Sequence, residues 1–328
     1  MRKKVVQYTV KQYIKEELRP SKLFFMHNLS TNFTIFLNIT KSVFKSSINT
    51  DYNFKFYPRK PKLSDCDILA LALSAESIVI DSETYLFGKL KNDYFEQFPQ
   101  LIHRCNFNRR KKVLAWYLQR LNQFLADRMN EGENVFIIDS IPVPVCKIAR
   151  EKSSKICREH FETAPDKGYS AVNKAYYYGY KLHIITSVNG VFHPGVDLSK
   201  ASVHDSRYLN DAKHSGLSNC TLIGDKGYLS KAYQIDLFSF AKIELKTPMR
   251  SNQENRNAMA PVFRKVRKRI ETLFAQLCDQ FMLKRNYAKS IAGLSVRITN
   301  KIAAVTALQF LNKQNNKPLN HLKYALAF

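Results

Sequence analysis

Acidic residues are scarce in this sequence. Among 328 residues, 27 Asp and Glu stand against 52 Lys and Arg, a net charge of +25. That excess argues against a chain indifferent to polyanions and points to a nucleic-acid partner. Closely spaced cysteine pairs are missing too. The six cysteines are scattered, at 66, 105, 146, 157, 220 and 278. Only Cys157-Arg-Glu-His160, with Cys146 upstream, has ligand-like spacing. No second pair completes four ligands, so a zinc site is not expected. No secretory signal precedes these thiols, and a reducing compartment with free cysteines is expected. No apolar run approaches the ~18 residues of a membrane span, and no internal repeat is visible. The apolar fraction of 45% is that of a globular protein and argues against disorder. The length admits two domains, or one large domain with additions.

What is present divides into four parts. Residues 1–62 carry 13 Lys and Arg against 3 acids and form a basic N-terminal arm or small helical unit. Val5, Val6, Tyr8, Val10, Tyr13 and Ile14 have helical spacing, ended by Pro20; the aromatic stretch Phe24–Phe44 has no assignable period. Residues 63–131 read as about three helices. Ser64 caps the first, with Asp65 and Asp67 in its first turn, and Ser82 begins the second. The third begins after Pro99 or Asn106 and carries Arg109, Arg110, Lys111 and Lys112. Short helices with such a cluster resemble a helix-turn-helix DNA reader. A helical bundle with a solvated basic face fits equally well.

Residues 132–313 change to strands alternating with helices. Asn134–Ser140 is an apolar run ending in Asp139, read as a strand buried on both faces. Tyr176–Val188 and Val191–Val196 form a hairpin around Asn189-Gly190, with Pro194 marking an edge. A helix follows over Ser202–Ala212, then a short strand, Thr221–Asp225. After these come a helix over Ser230–Phe240, a strand at Ile243–Leu245, and helices over Val262–Leu283 and Ser290–Asn312. Residues 314–328 are a tail. This order predicts an α/β fold around one mixed sheet.

Three acids stand out in that order. Asp139 ends the first strand, Asp225 ends the fourth, and Glu271 sits on the shoulder of the late helix beside its buried stripe. If the first and fourth strands are parallel neighbours, their ends bring Asp139 and Asp225 together, and a helix packed on the sheet supplies Glu271. Glu244, in a strand-like run, and Glu254, in a polar loop, compete for the third position. Oxygen-only ligands suit Mg²⁺ or Mn²⁺. Two such ions can drive an in-line displacement at phosphorus. Residues 262–313 hold 11 Lys and Arg against 2 acids. Arg264, Lys265, Arg267, Lys268 and Arg269 crowd the acid-bearing helix and read as phosphate contacts. Lys226, next to Asp225, is assigned the same role. His183 reads as a packed histidine. His204-Asp205 reads as a helix-capping pair, with a substrate contact as the sharper alternative.

Five motifs occur in sequence. They are Phe-Ile-Ile-Asp139-Ser, Gly-Tyr-Lys-Leu-His183, Ala-Ser-Val-His204-Asp205-Ser, Ile-Gly-Asp225-Lys226-Gly-Tyr228 and Arg267-Lys-Arg-Ile-Glu271-Thr-Leu-Phe. Together they resemble the DDE transposases of bacterial insertion sequences, in particular the family numbered nine-eighty-two. The resemblance covers about 63–312. It implies a ribonuclease-H-like core with flanking helices and metal ligation by Asp139, Asp225 and Glu271, two Mg²⁺ or Mn²⁺ ions serving. It also implies cutting at element ends and joining of the 3′-hydroxyl to target DNA in the bacterial cytoplasm, by a homo-oligomer on double-stranded DNA with no membrane involved. A nuclease of the same core that only hydrolyses, or an inactive DNA-binding remnant, is the alternative. Related families carry Tyr-x2-Arg-x3-Glu-x6-Lys around the last acid. Here Arg264 holds the Tyr position and Cys278 the Lys position, which departs from a Lys-mediated end contact.

Overall fold

The computed structural model describes residues 28–193, 197–248 and 261–326, with the backbone alone for 261–265. The helix expected over Val5–Ile14, the break at Pro194, Glu254, and the side chains of Arg264 and Lys265 lie outside the described residues.

Helix α1 (Leu29–Val43) starts where the Asn28 side chain accepts the Ser30 N–H at 2.9 Å. It buries Leu29, Ile35, Phe36 and Ile39. The period of this stretch is masked in the sequence because two of its polar residues are also buried. Asn32 donates to Ser77 Oγ at 3.0 Å, and the Thr40 hydroxyl donates to the Phe36 carbonyl at 2.8 Å. Satisfied in this way, they occupy core positions at little cost. Helix α2 (Asp65–Ser77) begins with a reciprocal cap: Ser64 Oγ accepts the Asp67 N–H, and Asp67 accepts the Ser64 N–H. Helix α3 spans Glu83–Asn92, α4 Arg104–Val113 and α5 Ala115–Met129. The single expected third helix is thus two, broken at Leu114.

Among the described residues the sheet has six strands. They are β1 (Val135–Cys146), β2 (Asp166–Ser170), β3 (Ala175–Ser187), β4 (Asp197–Lys200), β5 (Cys220–Ile223) and β6 (Ile243–Lys246). The order is β2-β3-β1-β5-β6, with β4 beside β3. β1 pairs with β3 antiparallel and with β5 parallel, and β5 pairs with β6 parallel. This is the mixed α/β sheet expected. A turn after β4 and a 3₁₀ turn at Asp205–Tyr208 replace most of the helix expected over Ser202–Ala212, leaving α6 (Leu209–Ala212). Helices α7 (Lys231–Ala241), α8 (Pro261–Asp279) and α9 (Ile291–Gln314) complete the chain.

Alternation along β1 gives its two faces to different cores. Ile137, Ile141, Val143 and Val145 join a cluster containing Ile270, Leu273 and Leu277 of α8, the apolar face of α9, and the buried residues of α1 to α5. Phe136 and Ile138 join the smaller cluster under α6 and α7. The helical region and the sheet therefore share one core across residue 131. Its centre is α9, which packs on α2 and α5. By length and composition α9 is apolar enough to cross a membrane, and 78% of that stretch is buried inside the protein. This corrects the expectation that no apolar run approaches the length of a span. Its polar residues are inside too: Lys301 is 1% exposed and pairs with Glu76 at 2.7 Å.

Candidate active site

The site is built on the parallel pair at the centre of the sheet. Its register runs Val135↔Thr221, Phe136↔Leu222, Ile137↔Ile223. Asp139 and Asp225 each lie two residues beyond the last matched pair. The two-residue side-chain period therefore gives them equivalent places on neighbouring backbones. At Asp225 the chain turns away: its Oδ1 accepts the Gly227 N–H at 2.8 Å and caps the 3₁₀ turn Lys226–Tyr228. At Asp139 the strand does not end, contrary to the sequence expectation. β1 runs on to Cys146 through Pro142 and Pro144, still paired with β3. Beyond Ile137 its other side has lost β5, and a strand with one free side accepts proline.

A third carboxylate comes from the turn before α6. Asp205 Oδ1 accepts from Ser140 Oγ at 3.0 Å and from Lys181 Nζ at 3.1 Å, and Lys181 also donates to the Val203 carbonyl at 2.8 Å. Gly227 lies between Asp225 and Asp205. A Cβ there would stand 2.9 Å from Asp225 Oδ1 and 3.1 Å from Asp205 Oδ2. The absence of a side chain lets the two acids approach one strip of backbone.

Negative charge is concentrated here, and the protonation of Asp139 reflects it. Burial pushes its carboxyl up to about 7; Asp225 and Asp205 add to the shift, and the Ser140 N–H and Arg267 oppose it. Beneath the acids the floor is neutral. Tyr228 is fully buried, and its hydroxyl lies 3.3 Å from His183 Nδ1, while His183 Nε2 is 2.8 Å from Ser199 Oγ. The His183 ring stacks on Tyr208 at 4.3 Å, and burial lowers its pKa to about 4. Burial also pushes the Tyr228 hydroxyl well above its ordinary value, and the three Asp residues add to that shift. His183 is thus a packed, neutral histidine.

Helix α8 crosses above. Its stripe of Ile270, Leu273 and Leu277 is buried, as is Phe281 just beyond its end. Arg267 Nη2 reaches to 4.0 Å from Asp139 Oδ2. Glu271 follows Arg267 by four residues, so it lies on the same flank one turn on, where it is exposed. The structure brings Asp139, Asp225 and Asp205 into electrostatic range of one another, and Glu271 stands exposed on α8. Among the described residues, no three His, Cys, Asp or Glu side chains stand close enough to hold an ion as they are placed. Glu244 lies on β6 and pairs with Lys246 at 3.2 Å. A hard divalent cation fits the donors that do converge. They are all oxygens, two of them are carboxylates on adjacent strands, and the electrostatic strain at Asp139 is of the sign a cation relieves.

The basic residues separate clearly. On α4, Arg109 and Lys112 are exposed. Arg110 pairs with the buried Asp65 at 2.6 Å, and Lys111 pairs with Glu83 at 2.5 Å. Those two cations are engaged by acids of the helical region. Lys226, Lys268 and Arg269 are exposed; the side chain of Arg269 lies against the turn at Gly190. Sequence reasoning missed the roles of Ser140 and Lys181 and read Asp205 first as a cap. The available signal was the facing of β1 and β3, which sets Ser140 opposite His183 and Pro142 opposite Lys181.

No curated protein matches the chain. The family model described as transposase DDE domain matches residues 130–307, more than half of the chain and the whole of the site above.

Proposed function

The chain belongs to the transposase DDE domain family, whose domain is ribonuclease-H-like and generally uses divalent metal ions, and from that premise we propose a specific role. It is a DNA transposase that cuts at the ends of an insertion sequence and joins the 3′-hydroxyl to target DNA. The order of its five motifs supports assigning it to the insertion-sequence family numbered nine-eighty-two. The observation that carries the reading is the parallel register setting Asp139 and Asp225 side by side at the centre of the sheet.

In this reading Asp139 and Asp225 would hold the cation, with Glu271 of α8 as the third ligand. Two bound Mg²⁺ or Mn²⁺ ions would activate the attacking water or 3′-hydroxyl and stabilise the leaving oxygen of an in-line displacement. Arg267, 4.0 Å from Asp139, offsets the carboxylate charge while the site is being loaded. Asp205 and Lys181 brace Ser140, and so the strand segment that carries Asp139. Lys226, next to Asp225, and Lys268 and Arg269 on α8 are exposed and meet phosphates of the duplex; Arg264 and Lys265 are assigned there with them. The helical region, through Arg109 and Lys112, adds backbone contacts. Two element ends must be handled together, so the working species is a homo-oligomer on double-stranded DNA.

The test is an assay of cleavage and joining on duplexes carrying the terminal repeats that flank the gene, with Mg²⁺. Joined products that disappear in Asp139→Asn are expected. Nicks without joining would replace the transposase by a hydrolysing nuclease. Tight binding with no Mg²⁺-dependent cleavage would replace it by an inactive DNA-binding remnant.

A further inference from the structure

Away from the carboxylates, a cavity of about 320 Å³ opens between the helical region and the start of α9. That is roughly ten water volumes, enough for a phosphate with its near waters or a phosphorylated sugar. Its lining is strongly basic: Arg104, Lys111, Lys112, Lys289 and Arg297 against Asp81 and Glu83. Glu83 is already neutralised within the wall. Burial raises its carboxyl, and the Lys111 ammonium with Asn108 more than reverses that, leaving it below its ordinary value. The remaining excess is not paired inside the protein. Lys112 and Lys289 are exposed and make no salt bridge among the described residues. Arg297 spans the cavity wall. Its Nη1 donates to the Asp81 carbonyl at 3.0 Å and its guanidinium lies 5.1 Å from the Tyr287 ring centroid. Its Nη2 is buried without a hydrogen-bond partner, as is Asp81 Oδ2.

The start of α9 adds to this field. The Ser290 side chain accepts the Gly293 N–H at 3.1 Å, and Glu159, from outside the cavity, accepts the Ile291 N–H at 3.2 Å. No acid of α9 itself lies in its first turn. The alkyl chain of Lys112 passes over Gly293, its Cε 3.8 Å from where a Cβ would be. A basic side chain placed over the positive end of a helix dipole favours an anion there, and Glu159 supplies one from outside the cavity.

We propose that this cavity is a phosphate-binding site, and that its occupant is a backbone phosphate of the DNA substrate. It is distinct from the carboxylate site and from the basic face of α8. The inference rests on the DNA reading above for its occupant. Two exposed ammoniums, Lys112 and Lys289, converging with Arg104 and the Arg297 guanidinium on one cavity suit a tetrahedral oxyanion. The two sources of that chemistry, duplex backbone and free phosphate, are separated by experiment.

The test measures DNA affinity against salt in EDTA, on an Asp139→Asn background, so that binding is read apart from chemistry. Lys289→Gln and Lys112→Gln remove exposed ammoniums with little risk to the fold, and Arg297→Lys removes the planar fork while keeping the charge. Exposed Lys323, elsewhere on the surface, is the control as Lys323→Gln. Each of the two lysine variants is expected to weaken binding to every duplex equally and to lower the slope of log K against log salt by about 0.9. Arg297→Lys should weaken binding with an unchanged slope. Affinity and slope equal to those of the control in all three variants would overturn the site. Phosphorus-31 line broadening of inorganic phosphate, lost in the variants while their DNA slopes stay native, would overturn the DNA assignment. Slopes that fall as expected in a protein that never cleaves DNA would leave this site standing and remove the transposase reading instead.

Discussion

Two basic runs that look alike in the sequence, Arg109–Lys112 on α4 and Arg267–Arg269 on α8, are put to different uses by the fold. On α4 the middle pair is internal: Arg110 and Lys111 meet buried Asp65 and Glu83, and Asp65 also receives the Phe54 N–H and the Tyr57 hydroxyl. On α8 the described cations are placed at the site and the surface. Arg267 faces the Asp139 carboxylate, and Lys268 and Arg269 are exposed. A run of cations is thus not a surface by itself. Its use depends on which of its members has a buried acid opposite.

The largest break in the comparison comes from Arg110→Ala. It strands Asp65, whose side chain is 1% exposed, without its cation. Losing one partner of a buried pair costs roughly 3–5 kcal/mol. Thermal or urea unfolding should show a loss of that size, whereas a fall below about 1 kcal/mol would make the pair a surface contact after all.

Next is Asp139 without metal. Its carboxyl sits at about 7 in the fold against an ordinary 3.8. The folded state therefore holds this proton more tightly than the unfolded chain does. The stabilisation is fully present below pH 4 and is lost as pH rises from 4 to 7. In EDTA, Asp139→Asn should therefore raise stability at pH 8, by up to roughly 4 kcal/mol, and change little at pH 4. Urea unfolding at both pH values checks this, and an equal effect at both would contradict the raised carboxyl.

A smaller effect belongs to Arg267→Gln. Removing an opposing charge at 4.0 Å lets Asp139 keep its proton to higher pH. The alkaline rise of Mg²⁺-dependent cleavage should move upward by about half a unit to one unit. An unmoved profile would mean that Arg267 serves only the duplex. The smallest effect is that of Arg109→Gln. Stability should change by less than about 0.5 kcal/mol, with the salt slope of DNA binding reduced by about 0.9. A substantial loss of stability there would erase the contrast between exposed and internal members of the run.

The sheet and the positions of Asp139 and Asp225 on it were legible because each signal was local, although β1 does not end at Asp139. An apolar run followed by Asp marks β1 from its start and β5, and β5, β6, α7 and α8 lie close to their expected positions. Three features were hidden for physical reasons. Helix α1 buries Asn32 and Thr40 with hydrogen bonds that no apolar period reveals. The continuation of β1 past Asp139 depends on the shortness of β5, a property of its neighbour. The place of Asp205 beside Asp139 depends on Ser140, Lys181 and Gly227, which are far apart in the chain. A His-Asp before a turn reads most simply as a cap, and the His204 side chain does accept the Ser206 N–H at 3.3 Å. The flank of α8 that carries Glu271 was legible from its buried stripe, but its distance from the strand ends was not.

The central claim is that the adjacent acids of β1 and β5 form a cation site, and Mn²⁺ binding tests it most directly. Free Mn²⁺ is measured by electron paramagnetic resonance as native protein, Asp139→Asn, Asp225→Asn and Lys323→Gln are titrated. The account predicts saturable binding in the native protein and in Lys323→Gln, with at least a tenfold loss of affinity in each Asp variant. Binding of native strength in both Asp variants would contradict it.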